Sequence, residues 1–368
     1  MSEVIIAAII IYLLRVSVVF FGAARERART QAKPILNYRR VSIVTPARNE
    51  EANIERAIRS IMNSDYPPEL FEVIAVNDRS EDGTGAILER LKGEFPNLIP
   101  IHITEQTKDS NLKGKAGALE RGLSAANGEI LLMTDADCTV HEQWIRSLVS
   151  LYDDPKLGIA ASFTLIEGER AFDKIQSAEW MYMHTMAQAG VGLSQIVGCY
   201  GNNLSVLAKA YKEVGGYRNI PFSVTEDYAL LKAITNAGWG ARYLCSPGST
   251  VTTYPCKTFT EYISQHRRWA AGGTALGWKA ALFVVSSLAV WIALAIAVWQ
   301  GNLLWIFSLL FARIVGDYFV VRPSATQLKE YRVIEWIVLS VVFFMFVELI
   351  LPFLMINRKI VWKGQTFK

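Results

Sequence analysis

Two carboxylates stand one residue apart in Asp135-Ala136-Asp137, directly after the apolar run Leu131-Leu132-Met133-Thr134. Charges held at the tip of a buried strand are costly unless they bind something. A pair of oxygen ligands in that position suits Mg²⁺ or Mn²⁺ shared with substrate phosphates. Two earlier apolar runs also end in polar clusters, Thr45-Pro46-Ala47-Arg48-Asn49-Glu50-Glu51 and Val76-Asn77-Asp78-Arg79-Ser80-Glu81-Asp82-Gly83-Thr84. These read either as turns whose acids open helices or as carboxylates that accept hydrogen bonds from a base or ribose. Lys115, in Lys113-Gly114-Lys115-Ala116-Gly117-Ala118-Leu119, is placed to neutralise a phosphate or to face water. Thr225-Glu226-Asp227 alone is a helix cap, and Gln265-His266-Arg267-Arg268-Trp269 alone is an interfacial anchor. Their weight comes from standing in one ordered set.

Positioning these groups requires strands. Val41–Thr45, Phe71–Val76, Leu98–Ile103, Glu129–Thr134 and Gly158–Phe163 are short and apolar, and helical patterns occupy roughly 50–63, 82–93, 115–126 and 141–152. Strand-helix alternation implies a largely parallel sheet covered by helices on both faces. Ligands of such sheets bind beyond the carboxyl ends of the strands, and the motifs fall at those ends.

Hydrophobic residues make up 51% of the chain and gather at its two ends. Residues 4–21 are apolar except for Arg15, and Ala-Ala-Arg-Glu-Arg-Ala-Arg follows. Charge after the apolar run marks an uncleaved anchor with its C-terminal end inside. Arg15 is expected to snorkel or to face other helices. Residues 280–299 carry no charge and suffice to span a bilayer. After a break at Gly301-Asn302, residues 303–321 contain Arg313 and Asp317, a polar loop is expected at 322–332, and residues 333–356 contain Glu335, Glu348 and Pro352. The net charge of +4 and the absence of a basic block with interleaved aromatics argue against nucleic acid. The four cysteines are widely spaced, which fits reduced thiols and neither a zinc site nor a disulfide framework.

Taken in order, Pro46-Ala47-Arg48-Asn49-Glu50, Asn77 to Thr84, Lys115-Ala-Gly-Ala-Leu119, Asp135-Ala136-Asp137, Thr225-Glu226-Asp227 and Gln265-x-x-Arg268-Trp269 resemble the membrane branch of family 2 glycosyltransferases. The resemblance covers residues 41–269 and implies a GT-A fold, Rossmann-like with a largely parallel sheet, between N-terminal and C-terminal transmembrane helices. It implies that Pro46, Arg48, Glu50, Asp78, Lys115 and Asp135 bind the donor. It implies that Asp137, with Asp135, holds Mn²⁺ or Mg²⁺. Asp227 would be the general base beside Glu226, and Gln265, Arg268 and Trp269 would close over donor and acceptor. The family's usual aspartate pair is reduced here to Asn77-Asp78, which leaves the role of position 77 open.

The implied activity is inverting, metal-dependent transfer from a nucleotide-sugar donor, UDP-glucose favoured among UDP-sugars, to a membrane lipid acceptor. The alternatives are a small processive polysaccharide synthase of the hyaluronan or chitin-oligosaccharide type, and a non-catalytic sugar-nucleotide-binding membrane protein. The expected division is an anchor at 1–24, a cytoplasmic catalytic domain at 38–275, two or three membrane segments within 276–356 and a basic tail at 357–368. An integral protein of a plasma or inner membrane follows. Three full spans after the domain would leave the tail outside, whereas Arg358, Lys359, Lys363 and Lys368 favour the cytoplasm. The tail is therefore expected inside, with one of the segments 303–321 or 333–356 not crossing fully.

Overall fold

A computed structural model describes the chain except for residues 36, 106, 108, 274, 275, 355–359, 363, 364 and 368. A long helix, α1 (Ser2–Arg29), leads into the first strand, β1 (Val41–Ala47). Then come α2 (Ile54–Met62), β2 (Phe71–Asp78), α3 (Thr84–Glu94), β3 (Leu98–Ile103), α4 (Lys115–Ala125) and β4 (Ile130–Met133). These four strands pair in parallel, as the alternation implies. Their β-branched residues face helices on both sides, and Ile43, Val44, Val73 and Ile74 are fully buried. Helix α4 lies so close to the sheet that a Cβ on Gly122 would meet the Val44 side chain.

The second half departs from simple alternation. It runs β5 (Thr139–Val140), α5 (Trp144–Val149), β6 (Leu157–Ser162), β7 (Thr164–Ile166), α6 (Ala171–Gly192), β8 (Leu204–Leu207), α7 (Ala208–Glu213), α8 (Gly216–Asn219), α9 (Glu226–Asn236), β9 (Gly240–Leu244) and β10 (Val251–Thr253). The main sheet has the order β3-β2-β1-β4-β8-β6-β9, with β8 antiparallel to both neighbours. It is mostly parallel but mixed. A small sheet, β5-β10-β7, extends one end.

Helix α6 has no counterpart in the sequence reading. It is buried on nearly every side, with Glu179, His184, Thr185 and Gln188 each 3% exposed or less. A helix buried all round shows no apolar stripe to detect. Helix α1 crosses it closely enough that a Cβ on Gly192 would strike the Gly22 carbonyl.

After α10 (Phe259–Gly273) come α11 (Trp278–Trp299), α12 (Leu303–Leu328), α13 (Arg332–Glu335) and α14 (Ile337–Leu354). Among the described residues, three helices are long and apolar enough to cross a membrane: α1, Lys279–Trp299 of α11, and α12. The chain is membrane-associated. The polar loop expected at 322–332 does not form, because α12 continues through Pro323 to Leu328. Its polar residues find partners on the protein. Ser324 Oγ accepts from Thr185 Oγ1 of α6 at 2.9 Å, and Gln327 donates to the Cys245 carbonyl at 2.6 Å. Helix α14 continues through position 352. Of the basic tail, Arg358, Lys359, Lys363 and Lys368 lie outside the described residues.

Arg15 faces other helices, not the membrane surface. Its Nη1 donates to Ser286 Oγ at 3.1 Å on α11, and its Nη2 lies 3.9 Å from Asp317 Oδ1 on α12. Asp317 also accepts from Tyr12 Oη at 2.7 Å and from Arg313 Nε at 3.1 Å, and Arg313 reaches Glu348 of α14 at 2.8 Å. One polar network thus ties four helices together.

Candidate active site

The ends of β1, β2 and β4 open on one cleft of about 430 Å³. Each of Pro46, Arg48, Glu50, Asp78, Lys115, Asp135, Asp137, Glu226, Asp227, Gln265, Arg268 and Trp269 lines it. The topology brings together every residue expected to bind donor or metal or to act on the acceptor.

Lys115 is the first residue of α4, released into the helix by Gly114 at φ +61°. Its Nζ lies 2.6 Å from Asp135 Oδ1 and 3.4 Å from Glu226 Oε1. Burial alone would lower its pKa, but Asp135, Glu226 and Asp227 raise it above the ordinary lysine value. Lys115 is therefore a fixed positive charge.

Asp227 sits in the first turn of α9. Its Oδ2 accepts from the Gly201 N–H at 2.8 Å, and its Oδ1 from the Tyr228 N–H at 2.7 Å. Burial pushes this carboxyl up to about 7, with Glu226 adding to the rise while Lys115 and the two N–H donors oppose it. A carboxylate titrating there is suited to taking a proton near neutral pH. A side chain at position 201 would press on Asp227, 3.2 Å from its Cβ.

At the end of β2, Arg79 grips the Asp78 carboxylate with two bonds, Nε to Oδ1 at 2.7 Å and Nη2 to Oδ2 at 2.9 Å. Arg79 does so from a left-handed backbone, φ +54°. Asn77, where the family usually carries an aspartate, bonds to His102 Nδ1 at 3.0 Å.

Helix α10 forms the opposite wall. Trp269 packs among Trp180, Tyr200 and His266, with ring centroids 5.5, 6.2 and 5.0 Å away. Trp180, Met183, Tyr200 and the segment Gly198–Asn202 line the cleft without having been found in the sequence. The Gly- and Asn-rich run Gly198 to Asn203 was the available signal for a tight functional loop. Nothing in the sequence marked Trp180, which is hidden in α6.

Six carboxylates and four cationic side chains line the cleft among the described residues, so it is net acidic before any substrate enters. Among the described residues, no group of three or more His, Cys, Asp or Glu side chains converges into a closed cage. Asp135 and Asp137 fit a cation of the kind that takes one or two protein carboxylates and completes its shell with substrate phosphates and water.

The family model for glycosyl transferase family 21 matches residues 2–368. The chain belongs to glycosyl transferase family 21. This family 21 chain is therefore a glycosyltransferase, and the resemblance to family 2 narrows to a GT2-like member with a GT-A fold. It is 28% identical over 237 residues to a probable glycosyltransferase, YdaM, of Bacillus subtilis, covering 63% of this chain and 55% of that one. It is 29% identical over 238 residues to the beta-monoglucosyldiacylglycerol synthase of Synechocystis, covering 64% and 48%. The poly-beta-1,6-N-acetyl-D-glucosamine synthase of Staphylococcus aureus is 25% identical over 268 residues, covering 72% and 62%. The family 21 chain thus spans about half the length of the first two relatives. Among solved structures, the mannosyltransferase PcManGT of Pyrobaculum calidifontis, in complex with GDP-Man and Mn²⁺, superimposes with a TM-score of 0.63 at 20% identity. That likeness covers 92% of this chain and 98% of the other, and it establishes the fold.

Proposed function

We propose that this chain transfers one sugar from a nucleoside diphosphate sugar, UDP-glucose favoured, to the hydroxyl of a membrane lipid, with inversion at the anomeric carbon. One observation carries the lipid acceptor. The cleft that holds Asp227 runs along α10 past Trp269, Gly272, Gly273 and Leu276, directly before the membrane-crossing α11. An acceptor anchored in the bilayer reaches Asp227 without leaving it.

Asp227 takes the proton of the acceptor hydroxyl as that oxygen attacks. Lys115 and Arg268 stabilise the negative charge that develops on the departing diphosphate. Asp135 and Asp137 hold Mn²⁺ or Mg²⁺, which when bound supplies further neutralisation of that charge. Asp78 and Glu50 bind the nucleoside, with Pro46 and Arg48 shaping the same wall, and Gln265 and Trp269 cover donor and acceptor. A single base opposite the leaving group gives one displacement and hence inversion. The working division is the anchor at 1–24, a cytoplasmic catalytic domain at 38–275 and membrane segments within 276–356, in a plasma or inner membrane.

Purified full-length protein, incubated with a panel of UDP- and GDP-sugars and extracted membrane lipids, should yield a lipid heavier by one hexose. A long polymer would favour the synthase reading, which the likeness to a poly-N-acetylglucosamine synthase keeps in play. Nucleotide binding with no transfer to any acceptor would defeat the enzyme reading of these residues.

A further inference from the structure

Helix α10 carries the cleft side chains Gln265, Arg268 and Trp269, yet few of its side chains are inside the protein. Among the described residues of α10, only Tyr262, His266 and Gly272 are buried. Tyr262 and His266 meet the same partner, Glu179 of α6. Glu179 Oε2 accepts from the Tyr262 hydroxyl at 2.6 Å, and Glu179 Oε1 lies 2.7 Å from His266 Nε2. His266 Nδ1 lies 2.9 Å from the Tyr262 carbonyl. Glu179, His266 and Tyr262 are 3%, 4% and 0% exposed.

The protons of this triad follow from its acceptors. A carbonyl oxygen only accepts, so His266 Nδ1 carries a hydrogen. The contact between Nε2 and the carboxylate oxygen then needs a second proton, shared between imidazole and carboxylate. Burial opposes a charged imidazole, but Glu179 outweighs it and raises the His266 pKa. The result is a buried, charge-assisted pair closed by a phenol.

Such pairs are poor sources of net stability, and their best-attested use is to fix one arrangement among several. The position on α10 shows which arrangement is fixed. Tyr262, His266 and Trp269 follow one another at i, i+4 and i+7 and share a face. Gln265 and Arg268 stand on the adjoining face that lines the cleft. Turning α10 enough to part His266 from Glu179 also draws Trp269 away from Trp180 and Tyr200. Apolar packing alone, as between Tyr262 and Phe343, tolerates such rocking, whereas two short bonds to one carboxylate do not.

We propose that Glu179 and His266 are positioning residues for sugar transfer, setting the rotation of α10 and through it the placement of Arg268 and Trp269 over the donor diphosphate. The proposal rests on the functional reading above and adds residues that touch neither substrate.

The test uses the full-length wild type, Glu179→Gln, His266→Gln, the double variant and Tyr262→Phe. Binding sites are counted by calorimetric titration with UDP or GDP and Mn²⁺, whichever nucleotide the wild type turns over as its sugar. Turnover per titrated site should fall about 10–100-fold in Glu179→Gln, the scale of a reacting group misplaced by about 1 Å. Nucleotide affinity should stay within about threefold, and the double variant should be no worse than the poorer single one, as expected of one unit. Tyr262→Phe, which removes only a hydroxyl, should show a smaller loss of the same kind. Wild-type turnover per site in Glu179→Gln overturns the proposal. If Glu179→Gln fails to bind nucleotide, unchanged turnover in Tyr262→Phe overturns it. A wild type that transfers nothing removes the functional reading itself, a distinct outcome.

Discussion

Two buried clusters of charge in this protein use the same side chains to opposite ends. Within the long apolar helices, Arg15 and Arg313 stand among Asp317 and Glu348, with Tyr12 and Ser286 completing the bonds. Cations and carboxylates there are equal in number, and all project from helices. In the cleft, Lys115 faces Asp135, Glu226 and Asp227, all close to where a strand ends or a helix begins. The first cluster balances its charges, although Arg15 Nε and Nη2 are buried without a hydrogen-bond acceptor. The second is left acidic, and it draws in a phosphate-bearing ligand only together with more positive charge. Balance marks the structural network, and imbalance marks the site.

The comparison breaks most visibly at Asp227. Asp227→Asn should cut turnover by about 10²–10⁴, the range for a general base, while a nucleotide titration stays nearly unchanged. Survival of turnover within about tenfold would remove Asp227 from the base role. The same imbalance predicts that a chelator abolishes activity, that Mn²⁺ or Mg²⁺ restores it, and that Asp137→Ala no longer responds. Full activity in excess chelator contradicts the metal assignment of Asp135 and Asp137.

The balanced cluster should fail differently. Arg313→Leu removes the bonded cation from buried Asp317 and Glu348 and should cost about 3–5 kcal/mol, as for a buried pair losing one partner. Thermal melting in detergent would show it. Adding Glu348→Leu should recover much of that loss. No such rescue exists in the cleft, where neutralising Lys115 together with Asp135 should leave the enzyme inactive. A double membrane variant as unstable as the single one would mean that the pairing is not what holds these helices.

Acidity sharpens the contrast further. Because burial lifts Asp227 to about 7, its protonated form dominates below that pH and cannot accept a proton. Plots of kcat/KM should therefore climb through an acid limb near pH 7, and Glu226→Gln should move that limb downward. The sign for stability is the reverse. With the folded pKa above the unfolded one, this group stabilises the fold at low pH, and its contribution is lost as pH rises toward 7. Asp227→Asn should thus melt higher than wild type at pH 8. A limb unmoved by Glu226→Gln would show that Asp227 is not the titrating group. The smallest effect belongs to the exposed network of Arg59, Arg90, Glu55 and Glu94. Arg59→Ala should change neither melting nor turnover measurably, as is usual for surface pairs.

The parallel half of the sheet was legible because its strands are apolar, short and separated by patterned helices, and each ends in a chemically loaded turn. Asp78, Asp135 and Asp137 could be placed from that pattern alone. Asp227, Arg268 and Trp269 could not, because their local sequence is that of any cap or interfacial anchor, and the ordered resemblance carried them. Helix α6 stayed hidden, since burial on all sides erases periodicity, and Glu179, Trp180 and His184 went with it. The end of α12 was misread for a related reason. Arg322, Ser324 and Gln327 look like loop residues until α6 and the Cys245 carbonyl stand beside them.

Helix α1 also sets an order of assembly. It leaves the ribosome before every element it packs on, and Glu26 near its end waits for the Tyr243 N–H, a partner 217 residues later. Arg15 waits longer, for Ser286 and Asp317. At roughly 5–20 residues per second, the 300 or so residues that separate Arg15 from Asp317 take about 15–60 s to make. For that interval the Arg15 guanidinium sits in α1 beside Tyr12 without the carboxylate it will face. The finished enzyme hides a charge that its own biosynthesis must first carry without a counter-charge, and a helix made before the catalytic strands is among the last to be locked in place.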